Sequence, residues 1–306
     1  MDTCFCQKLT DIVGEDAVKY QEMMSLHTTF RIGGPADVLV TPPDEKSLMR
    51  AIALCQSEQV PFLIIGNGSN LLVSDAGFRG VILQIGPKMS KVTVEGNVIV
   101  AQAGASMAQI ARTAMEHELA GMEFASGIPG TIGGGVVMNA GAYGGELSQI
   151  VTQVNVVNSE GEIMELDNET MEFGYRTSTI RNNPFTVTEV ILRLEKGDRQ
   201  QIRERMEELA ARRREKQPLE YPSAGSTFKR PAGYYAGQLI MEAGLRGFQC
   251  GGAKVSDKHC GFVINTGNAT AEDVRTLIRE IQTRVKDQFN VNLETEVLFL
   301  GWEKNR

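Results

Sequence analysis

Apolar residues recur at helical spacing in several separate segments of the chain. In residues 45–58, for example, Leu48 and Ile52 stand four places apart and would share one face of a helix. Asp44 directly precedes this segment, where its carboxylate can accept a hydrogen bond from the first turn. The same spacing, together with the breaks around it, predicts helices at residues 2–24, 45–58, 106–117, 201–216, 235–243 and 271–289.

Shorter runs of apolar or alternating residues, each bounded by turn-forming residues, predict β-strands. Gly96 and Asn97 separate two of these runs by only two residues, as in a tight hairpin. A β-α-β unit is therefore expected before Gly80, and a mainly antiparallel sheet after it. The predicted strands lie at residues 36–41, 62–65, 71–73, 81–85, 92–95, 98–103, 151–157, 163–166, 185–194, 260–265 and 293–300.

The overall pattern predicts an α+β protein of two or three domains. At 306 residues the chain exceeds the size that one hydrophobic core usually serves. Pro218 and Pro222 break the chain after a long amphipathic helix, which predicts a domain boundary there. The net charge of −7 argues against a general nucleic-acid binder. No apolar run is long enough to cross a bilayer, so we expect a cytoplasmic protein with no membrane contact.

The cysteines indicate reduced thiols rather than a disulfide framework. Their number is odd, and the chain is large for a disulfide-stabilised fold. Cys250, His259 and Cys260 lie near one another in the sequence, but no second pair at zinc-like spacing accompanies them. We therefore expect no metal site. The five cysteines are Cys4, Cys6, Cys55, Cys250 and Cys260.

The most unusual part of the chain is residues 123–146, the central glycine stretch. Its sequence is EFASGIPGTIGGGVVMNAGAYGGE, which is rich in glycine and apolar residues and has its only two acids, Glu123 and Glu146, at its ends. Glycine lets a ligand lie directly on the backbone, so this stretch suits a buried phosphate or a flat ring. A tight turn between packed strands is the alternative reading.

A first glycine loop, residues 66–70, stands upstream and directly follows an apolar run. Its sequence is GNGSN, and the apolar LLV after it indicates a strand. It is not a dinucleotide fingerprint, which needs a third glycine and then a helix, nor a P-loop, which needs a Lys-Ser or Lys-Thr pair. Consecutive backbone N–H groups in such a loop suit a pyrophosphate.

These segments, in this order, resemble the UDP-N-acetylenolpyruvoylglucosamine reductase family over nearly the whole chain. The segments that carry the resemblance are GNGSN at 66–70, SGIPG at 126–130, NAGAYG at 139–144, YRTS at 175–178, AGSTF at 224–228 and ETEV at 294–297. The chain shows no inserted lobe, so it resembles the shorter class of the family. Members reduce the enolpyruvyl ether of UDP-N-acetylglucosamine to UDP-N-acetylmuramate for bacterial peptidoglycan.

The resemblance implies FAD, bound non-covalently in a domain of the vanillyl-alcohol-oxidase (PCMH) type, and NADPH as the hydride donor. It implies a smaller α+β substrate domain and a monomer that binds the small molecule UDP-N-acetyl-3-O-(1-carboxyvinyl)-glucosamine. The implied division is a helical arm at 1–24, FAD-binding subdomains at 25–84 and 85–211, and a substrate domain at 212–306.

The resemblance also implies which residues bind the ligands. The implied cofactor residues are Gly66, Asn67, Gly68, Ser69, Asn70, Ser126, Gly127, Ile128, Pro129, Gly130, Gly133, Gly134, Asn139, Gly141, Ala142 and Tyr143. The implied substrate residues are Tyr175, Lys216, Arg230 and Gln238. For Lys216 and its basic neighbours a solvated helix end is an equal alternative, because cations complement the helix dipole.

Three residues are implied to be catalytic: Arg176, Ser226 and Glu296. A guanidinium holds a carboxylate in a bidentate fork, although sequence alone would favour a structural ion pair for Arg176. Ser226 takes the family's position of a proton donor, where sequence alone indicates a turn serine. Glu296 is expected on an apolar face of the last strand, with Glu294 as its rival by parity.

Two other functions remain open from the sequence. One is an FAD-linked oxidase of the same flavin fold that acts on another substrate, although neither glycine loop contains the histidine to which many such oxidases tether FAD. The other is a flavin or nucleotide-sugar binding module without turnover. The combination of Arg176, Ser226 and Glu296 argues against the second.

Overall fold

A computed structural model describes residues 2–302 of the chain. Its helices are α1 (Thr3–Val13), α2 (Glu45–Ser57), α3 (Met107–Glu116), α4 (Ile132–Val137), α5 (Arg199–Lys216), α6 (Ala236–Glu242) and α7 (Ala271–Phe289). Five of the six predicted helices are confirmed within a few residues. None of the helices in residues 2–302 combines the length and the apolar character needed to cross a bilayer.

Within residues 2–302 the strands divide among six sheets. They are β1 (Val18–Met23), β2 (Pro35–Val40), β3 (Phe62–Ile65), β4 (Leu71–Val73), β5 (Phe78–Gln84), β6 (Val92–Glu95), β7 (Val98–Gln102), β8 (Leu119–Ala120), β9 (Gly141–Ala142), β10 (Gly145–Glu146), β11 (Val151–Val157), β12 (Ile163–Asp167), β13 (Thr186–Arg193), β14 (Glu195–Lys196), β15 (Gln249–Cys250), β16 (Ala253–Val255), β17 (Val263–Asn265) and β18 (Leu298–Leu300).

The chain forms two compact units, each with its own hydrophobic core. Unit 1 consists of the residues up to Tyr20, Val38–Asn67 and Gly80–Arg212. Unit 2 consists of Gln21–Asp37, Gly68–Arg79 and the residues from Arg213 onward. The buried apolar residues fall into two separate clusters that follow this division.

Unit 1 is built on an antiparallel sheet in the order β12-β11-β13-β7-β6. Alternate residues of its central strands are buried, such as Val154 and Val156 on β11 and Val190 and Leu192 on β13. Strands β3 and β5 pair in parallel at the edge of a second sheet, in the order β1-β2-β5-β3. Helix α2 is capped as predicted, since Ser47 N–H donates to the Asp44 carboxylate at 2.7 Å.

Unit 2 is built around helix α7. One apolar face of this helix is fully buried and includes Val274, Leu277, Ile278 and Ile281. The small antiparallel sheet β15-β16-β17 and the parallel pair β18-β4 complete the unit. Its segment 68–79 therefore joins the C-terminal part of the chain through a β-ladder.

Three predicted elements are wrong in part. Residues 2–24 are not one helix, because Gly14 ends α1 with φ +88° and Val18–Met23 form strand β1. The last strand does not begin at residue 293, since only Leu298–Leu300 form β18. The strand predicted at 260–265 is shortened to Val263–Asn265. The four-part domain division stays a prediction.

Candidate active site

The first glycine loop connects β3 to β4 and is shaped by close packing. A Cβ on Gly66 would collide with the Thr131 hydroxyl. Gly68 has φ +58°, and a Cβ there would collide with the His27 carbonyl oxygen. Both positions therefore require glycine for the protein's own packing, whatever the loop binds.

The predicted anion-binding nest consists of backbone N–H groups of this loop. Within residues 2–302, four consecutive N–H groups donate no hydrogen bond, those of Asn67, Gly68, Ser69 and Asn70. Gly68 is buried, and a buried N–H without a partner costs about as much as a lost hydrogen bond. Consecutive N–H groups of this kind suit phosphate oxygens. The loop thus has the donors that the predicted pyrophosphate site requires.

The side chain of Asn67 ties the first glycine loop to the central glycine stretch. Its amide Nδ2 donates to the carbonyl of Pro129 at 2.9 Å. Ser126 is fixed nearby, since its hydroxyl donates to the Glu123 carbonyl at 2.9 Å. Within unit 1, two segments about sixty residues apart in sequence are therefore brought together, as expected of parts of one binding site.

The central glycine stretch contains a short helix, α4, that the sequence reasoning missed. Thr131 caps it, accepting a hydrogen bond from Gly134 N–H at 3.3 Å. Gly133 packs against Ala103: a Cβ added to Gly133 would lie only 2.8 Å from the Cβ of Ala103. Gly134 is exposed, and a Cβ added there would have its nearest neighbour, the Thr131 hydroxyl oxygen, 3.6 Å away. Of these two predicted cofactor residues, Gly134 is the one that leaves open backbone for a ligand.

The end of the central glycine stretch is a strained hairpin. Strands β9 and β10 pair around Tyr143 and Gly144, which both have positive φ, at +54° and +89°. Asn139 also has positive φ and is buried; its amide donates to the Gly174 carbonyl at 3.2 Å and its oxygen accepts from Ser148 N–H at 2.9 Å. Positive φ at non-glycine residues is costly and clusters at functional sites.

Arg176 lies at the tip of a tight turn that packs against this hairpin segment. Gly174 and Thr177 exchange backbone hydrogen bonds across the turn. Arg176 has φ +57°, a backbone conformation usually adopted by glycine or asparagine. Its guanidinium donates a hydrogen bond to the Gly141 carbonyl at 3.2 Å. It also lies 5.2 Å from the ring centroid of Tyr175. The turn therefore presents a half-buried cation beside the predicted cofactor segment of unit 1.

The segments that carry Ser226 and Glu296 pair in unit 2, although the two residues are 70 positions apart in sequence. Glu296 N–H donates to the Thr227 carbonyl at 2.9 Å, and Phe228 bridges to Thr295 in antiparallel fashion. Thr227 is buried and is held on its other side by Val263 N–H, which donates to its hydroxyl at 3.0 Å. The Ser226 hydroxyl makes no hydrogen bond within residues 2–302, and it is partly exposed.

The prediction that Glu296 lies on an apolar face of the last strand is wrong. Glu296 and Glu294 nevertheless differ in their burial and contacts. Glu296 precedes β18, whose Leu298 is exposed, while Val297 is buried. Glu294 is exposed and pairs with Lys229 at 3.1 Å. Glu296 is half-buried, and its backbone lies opposite Thr227, the residue after Ser226. The two carboxylates thus differ in their setting, and the catalytic role of Glu296 stays a prediction.

The predicted substrate residues are exposed. Arg230 lies 4.1 Å from the ring centroid of Tyr235. Gln238, on α6, donates to the Glu242 carboxylate at 2.8 Å. Lys216 is the last residue of α5 and is exposed there, and Tyr175 is 54 % exposed. Their roles stay predictions.

Two residues of the site escaped the sequence reasoning. Thr131 both caps α4 and fills the space above Gly66. The Thr ahead of IGGG is a typical N-cap signal, so it could have been found. Thr227 links the segments of Ser226 and Glu296, and no local pattern signals this because its partners lie far away in sequence.

Two family models match the chain. The model "FAD binding domain" matches residues 36–167, and the model "UDP-N-acetylenolpyruvoylglucosamine reductase, C-terminal domain" matches residues 217–300. The predicted fold class, an α+β FAD-binding domain followed by a smaller α+β domain, is thereby confirmed.

The chain is also similar to whole proteins. It is 52 % identical to the UDP-N-acetylenolpyruvoylglucosamine reductase of Caldanaerobacter subterraneus subsp. tengcongensis, over 96 % of this chain and 97 % of that protein. It is 49 % identical to that of Clostridium kluyveri, over 97 % of both chains. The crystal structure of UDP-N-acetylenolpyruvylglucosamine reductase from Thermus caldophilus matches it with a TM-score of 0.80 at 34 % identity, over 92 % of this chain and 98 % of that one.

Proposed function

The chain belongs to the UDP-N-acetylenolpyruvoylglucosamine reductase family and is an FAD-dependent oxidoreductase, and from this premise we propose its reaction and the residues that perform it. The proposed reaction is the NADPH-dependent reduction of the enolpyruvyl ether of UDP-N-acetylglucosamine to UDP-N-acetylmuramate, in bacterial peptidoglycan synthesis. The observation that carries the assignment of residues is the pairing of the Ser226 and Glu296 segments through Thr227.

FAD is held, in this proposal, by the first glycine loop and the central glycine stretch. The four N–H groups of residues 67–70 bind its pyrophosphate, and the open backbone at Gly134 accepts another part of the cofactor. When bound, FAD supplies hydride transfer from NADPH to the substrate. The protein's own residues must then bind the substrate and manage its charge and its proton.

Arg176 is proposed to hold the substrate carboxylate. Hydride addition at the terminal vinyl carbon leaves negative charge on the α-carbon, which spreads into the neighbouring carboxylate. A guanidinium stays charged at every working pH and fits a carboxylate with two parallel hydrogen bonds. The turn that fixes Arg176 at φ +57° sets the cation in place before the charge develops, which is the condition for electrostatic stabilisation.

Ser226 is proposed to deliver the proton to the α-carbon, with Glu296 as its neighbour in proton supply or enolate stabilisation. Serine is a weak acid and needs a partner that passes on a proton. The hydrogen bond from Glu296 N–H to the Thr227 carbonyl places Glu296 opposite Thr227, which directly follows Ser226 in the chain. After the step, the substrate has gained one hydride and one proton, and Ser226 recovers its proton from solvent.

Further features of the proposal follow from the family. We propose that the enzyme works as a cytoplasmic monomer and that Tyr175, Lys216, Arg230 and Gln238 contact the UDP-sugar. The cation–π pair of Arg230 and Tyr235 supports this, because it presents a cation and an aromatic surface together on unit 2.

An anaerobic absorbance titration tests the proposal. NADPH is added to the purified flavoprotein until the flavin bands bleach, and the enolpyruvyl ether of UDP-N-acetylglucosamine is then added. Recovery of the bands with formation of UDP-N-acetylmuramate is the expected result. Bleaching without recovery would move the function to another acceptor, and a protein that neither contains nor takes up FAD would refute the proposal for both glycine segments.

A further inference from the structure

Asn70 makes two hydrogen bonds to the segment that carries Glu296. Its side-chain amide Nδ2 donates to the Glu296 carbonyl at 3.0 Å, and its own carbonyl accepts from Leu298 N–H at 3.0 Å. Both bonds lie within unit 2, and they are made to the residues directly before and after the buried Val297. The last residue of the first glycine loop is thus attached to the backbone on either side of this position.

The side-chain bond replaces a regular bond of the parallel β4-β18 ladder. In this register Leu298 lies beside Leu71, Leu298 N–H donates to Asn70, and Ser74 N–H donates to the Leu300 carbonyl. Bonds of a parallel ladder recur at every second residue along a strand. The next one before β4 would therefore run from the backbone N–H of Asn70 to the Glu296 carbonyl, and the structure has Nδ2 there instead.

Because the side chain of Asn70 makes this hydrogen bond, its backbone N–H remains in the anion-binding nest. Within residues 2–302 that N–H donates no hydrogen bond, like those of the three residues before it. An ordinary ladder would have consumed it. The asparagine amide, which has the same donor chemistry as a peptide N–H, holds Glu296 while its own peptide stays available to an anion.

Glu296 is thereby held at both of its backbone polar groups. Its N–H donates to Thr227, beside Ser226, and its carbonyl accepts from Asn70. Two such anchors fix the backbone from which the carboxylate side chain starts. Misplacing a catalytic group by about 1 Å can reduce the rate about 100-fold, so anchors of this kind matter for turnover.

We propose that Asn70 is a positioning residue for Glu296: its side chain aligns the carboxylate-bearing backbone, while its backbone N–H serves the pyrophosphate site. The proposal rests on the proposed function. It reassigns the Asn70 side chain, which the sequence resemblance implies to be a cofactor contact. Asn67 provides the contrast in the same loop, because its side chain holds Pro129 of the central glycine stretch.

The first test separates the two half-reactions in Asn70→Ala, measured by stopped-flow absorbance at saturating FAD. Reduction of the flavin by NADPH is expected to stay within about threefold of wild type, because the backbone N–H groups remain. Reoxidation by the enolpyruvyl substrate is expected to fall about 10- to 100-fold. Asn70→Asp keeps the shape and removes the donor, so reoxidation is expected to fall at least as far as in Asn70→Ala; because its added charge lies at the pyrophosphate site, FAD uptake is judged in Asn70→Ala.

A matched control is Asn97→Ala. Asn97 makes the same type of bond, from Nδ2 to the Leu194 carbonyl at 3.1 Å, but in the β6-β7 hairpin of unit 1. Both half-reactions are expected to be unchanged in this variant. If Asn70→Ala loses flavin reduction as severely as reoxidation, or no longer takes up FAD, the side chain serves the cofactor and the proposal is overturned.

A double variant tests whether Asn70 acts through Glu296. In Asn70→Ala/Glu296→Gln, reoxidation is expected to be no slower than in Glu296→Gln alone, because the residue to be positioned has already lost its function. Losses that multiply would mean that Asn70 acts independently, and would overturn the proposal.

Amide hydrogen exchange gives a readout that does not depend on turnover. Peptides that cover residues 294–300 are expected to exchange faster in both Asn70 variants than in wild type or Asn97→Ala. Unchanged exchange in both variants would overturn the proposal. If wild-type flavin is not reoxidised by the substrate at all, the proposed function fails, whereas this measurement still decides whether Asn70 holds the Glu296 segment.

Discussion

At the scale of single residues, Ser226 carries the sharpest chemical prediction. Ser226→Ala removes the hydroxyl and leaves the Thr227 backbone contacts in place. We expect normal FAD content and normal flavin reduction by NADPH, but a loss of about 10²–10⁴-fold in reoxidation by the substrate, the usual size of a general acid effect. Stopped-flow measurement of the two half-reactions checks this. Equal damage to both half-reactions would contradict the role of proton donor.

Glu296 and Glu294 form a matched pair for a second prediction. Both are glutamates of one short segment, but Glu294 is exposed and paired with Lys229, whereas Glu296 lies opposite Thr227. Glu296→Gln is expected to lower substrate-driven reoxidation about 100-fold or more, and Glu294→Gln to leave it unchanged, because an exposed ion pair contributes little. Steady-state kinetics of both variants decide this, and the reverse order of effects would refute the choice of Glu296.

The sequence points to the residue types and segments of the candidate site, but it does not reveal their physical setting. The glycines suggested room for a ligand, yet Gly66 and Gly133 are glycines because Thr131 and Ala103 occupy the space beside them. The resemblance implies Glu296 as a catalytic residue, but the strand face on which it is expected does not exist, because β18 begins only at Leu298. Contacts between distant segments decide such settings, and a single sequence does not reveal them.

At the scale of elements, helix α7 shows how a distant segment completes a local structure. Thr270 and Asp273 form a capping box at its start, as local sequence would suggest. The carboxylate of Asp75, nearly 200 positions earlier, also accepts from Ala271 N–H at 2.8 Å and from Glu272 N–H at 3.1 Å. The segment 68–79, which follows the first glycine loop, is thus attached to α7 as well as to β18.

Asp75→Ala is expected to lower the free energy of unfolding by about 1–2 kcal/mol, because two first-turn N–H groups lose their acceptor. Denaturant titration followed by circular dichroism measures this. Asp44→Ala is the matched control: it removes the cap of α2, which satisfies one N–H, and is expected to cost about 1 kcal/mol or less. A cost for Asp75→Ala below that of Asp44→Ala would mean that the distant carboxylate does not stabilise α7.

The elements that periodicity predicted well are those whose stabilising contacts follow the local pattern. Helix α7 begins and ends where the apolar spacing predicts, and the hairpin β6-β7 turns at Gly96 and Asn97. Strand β1 was missed because the chain after Gly14 continues the apolar spacing of α1 for a few residues. Helix α4 was missed because three glycines conceal it, and its Thr131 cap and tight packing overcome their low helix propensity.

At the scale of the whole molecule, the division into two units depends on contacts that no local pattern announces. Segments 21–37 and 68–79 precede most of unit 1 in sequence but belong to unit 2. Within unit 2, the Thr29 hydroxyl donates to the Ser223 carbonyl at 2.7 Å, and the Asn265 amide donates to the Phe30 carbonyl at 3.1 Å. The sequence could predict more than one core but not the discontinuous segments that build them.

His259 gives the stability of the molecule a predictable dependence on pH. Its Nδ1 accepts a hydrogen bond from Gly261 N–H at 3.0 Å, and burial lowers the pKa of the imidazole below its usual 6.5. The folded state therefore favours the neutral ring, and its contribution to stability is complete above pH 6.5 and is lost as the pH falls through that value towards the folded-state pKa.

The variant His259→Asn tests this dependence, because the Asn oxygen can accept from Gly261 N–H without titrating. From about pH 8 to about pH 5, the urea midpoint is expected to fall more steeply in wild type than in His259→Asn. The difference between the two proteins isolates this group from the other titrating residues. A difference that stays constant over the whole range would refute the assignment.

The two glycine segments predict how the whole molecule responds to its cofactor. A ligand present at about 100 times its dissociation constant stabilises a folded protein by about 2.7 kcal/mol, so added FAD is expected to raise the unfolding temperature of the apoprotein by several degrees. Riboflavin has the same flavin ring but no pyrophosphate, so it leaves the nest of residues 67–70 unused and is expected to raise the unfolding temperature much less at the same concentration. Thermal denaturation of the apoprotein with each ligand measures both shifts. Equal shifts would mean that the ring alone provides the binding energy, and would contradict the role assigned here to the four N–H groups.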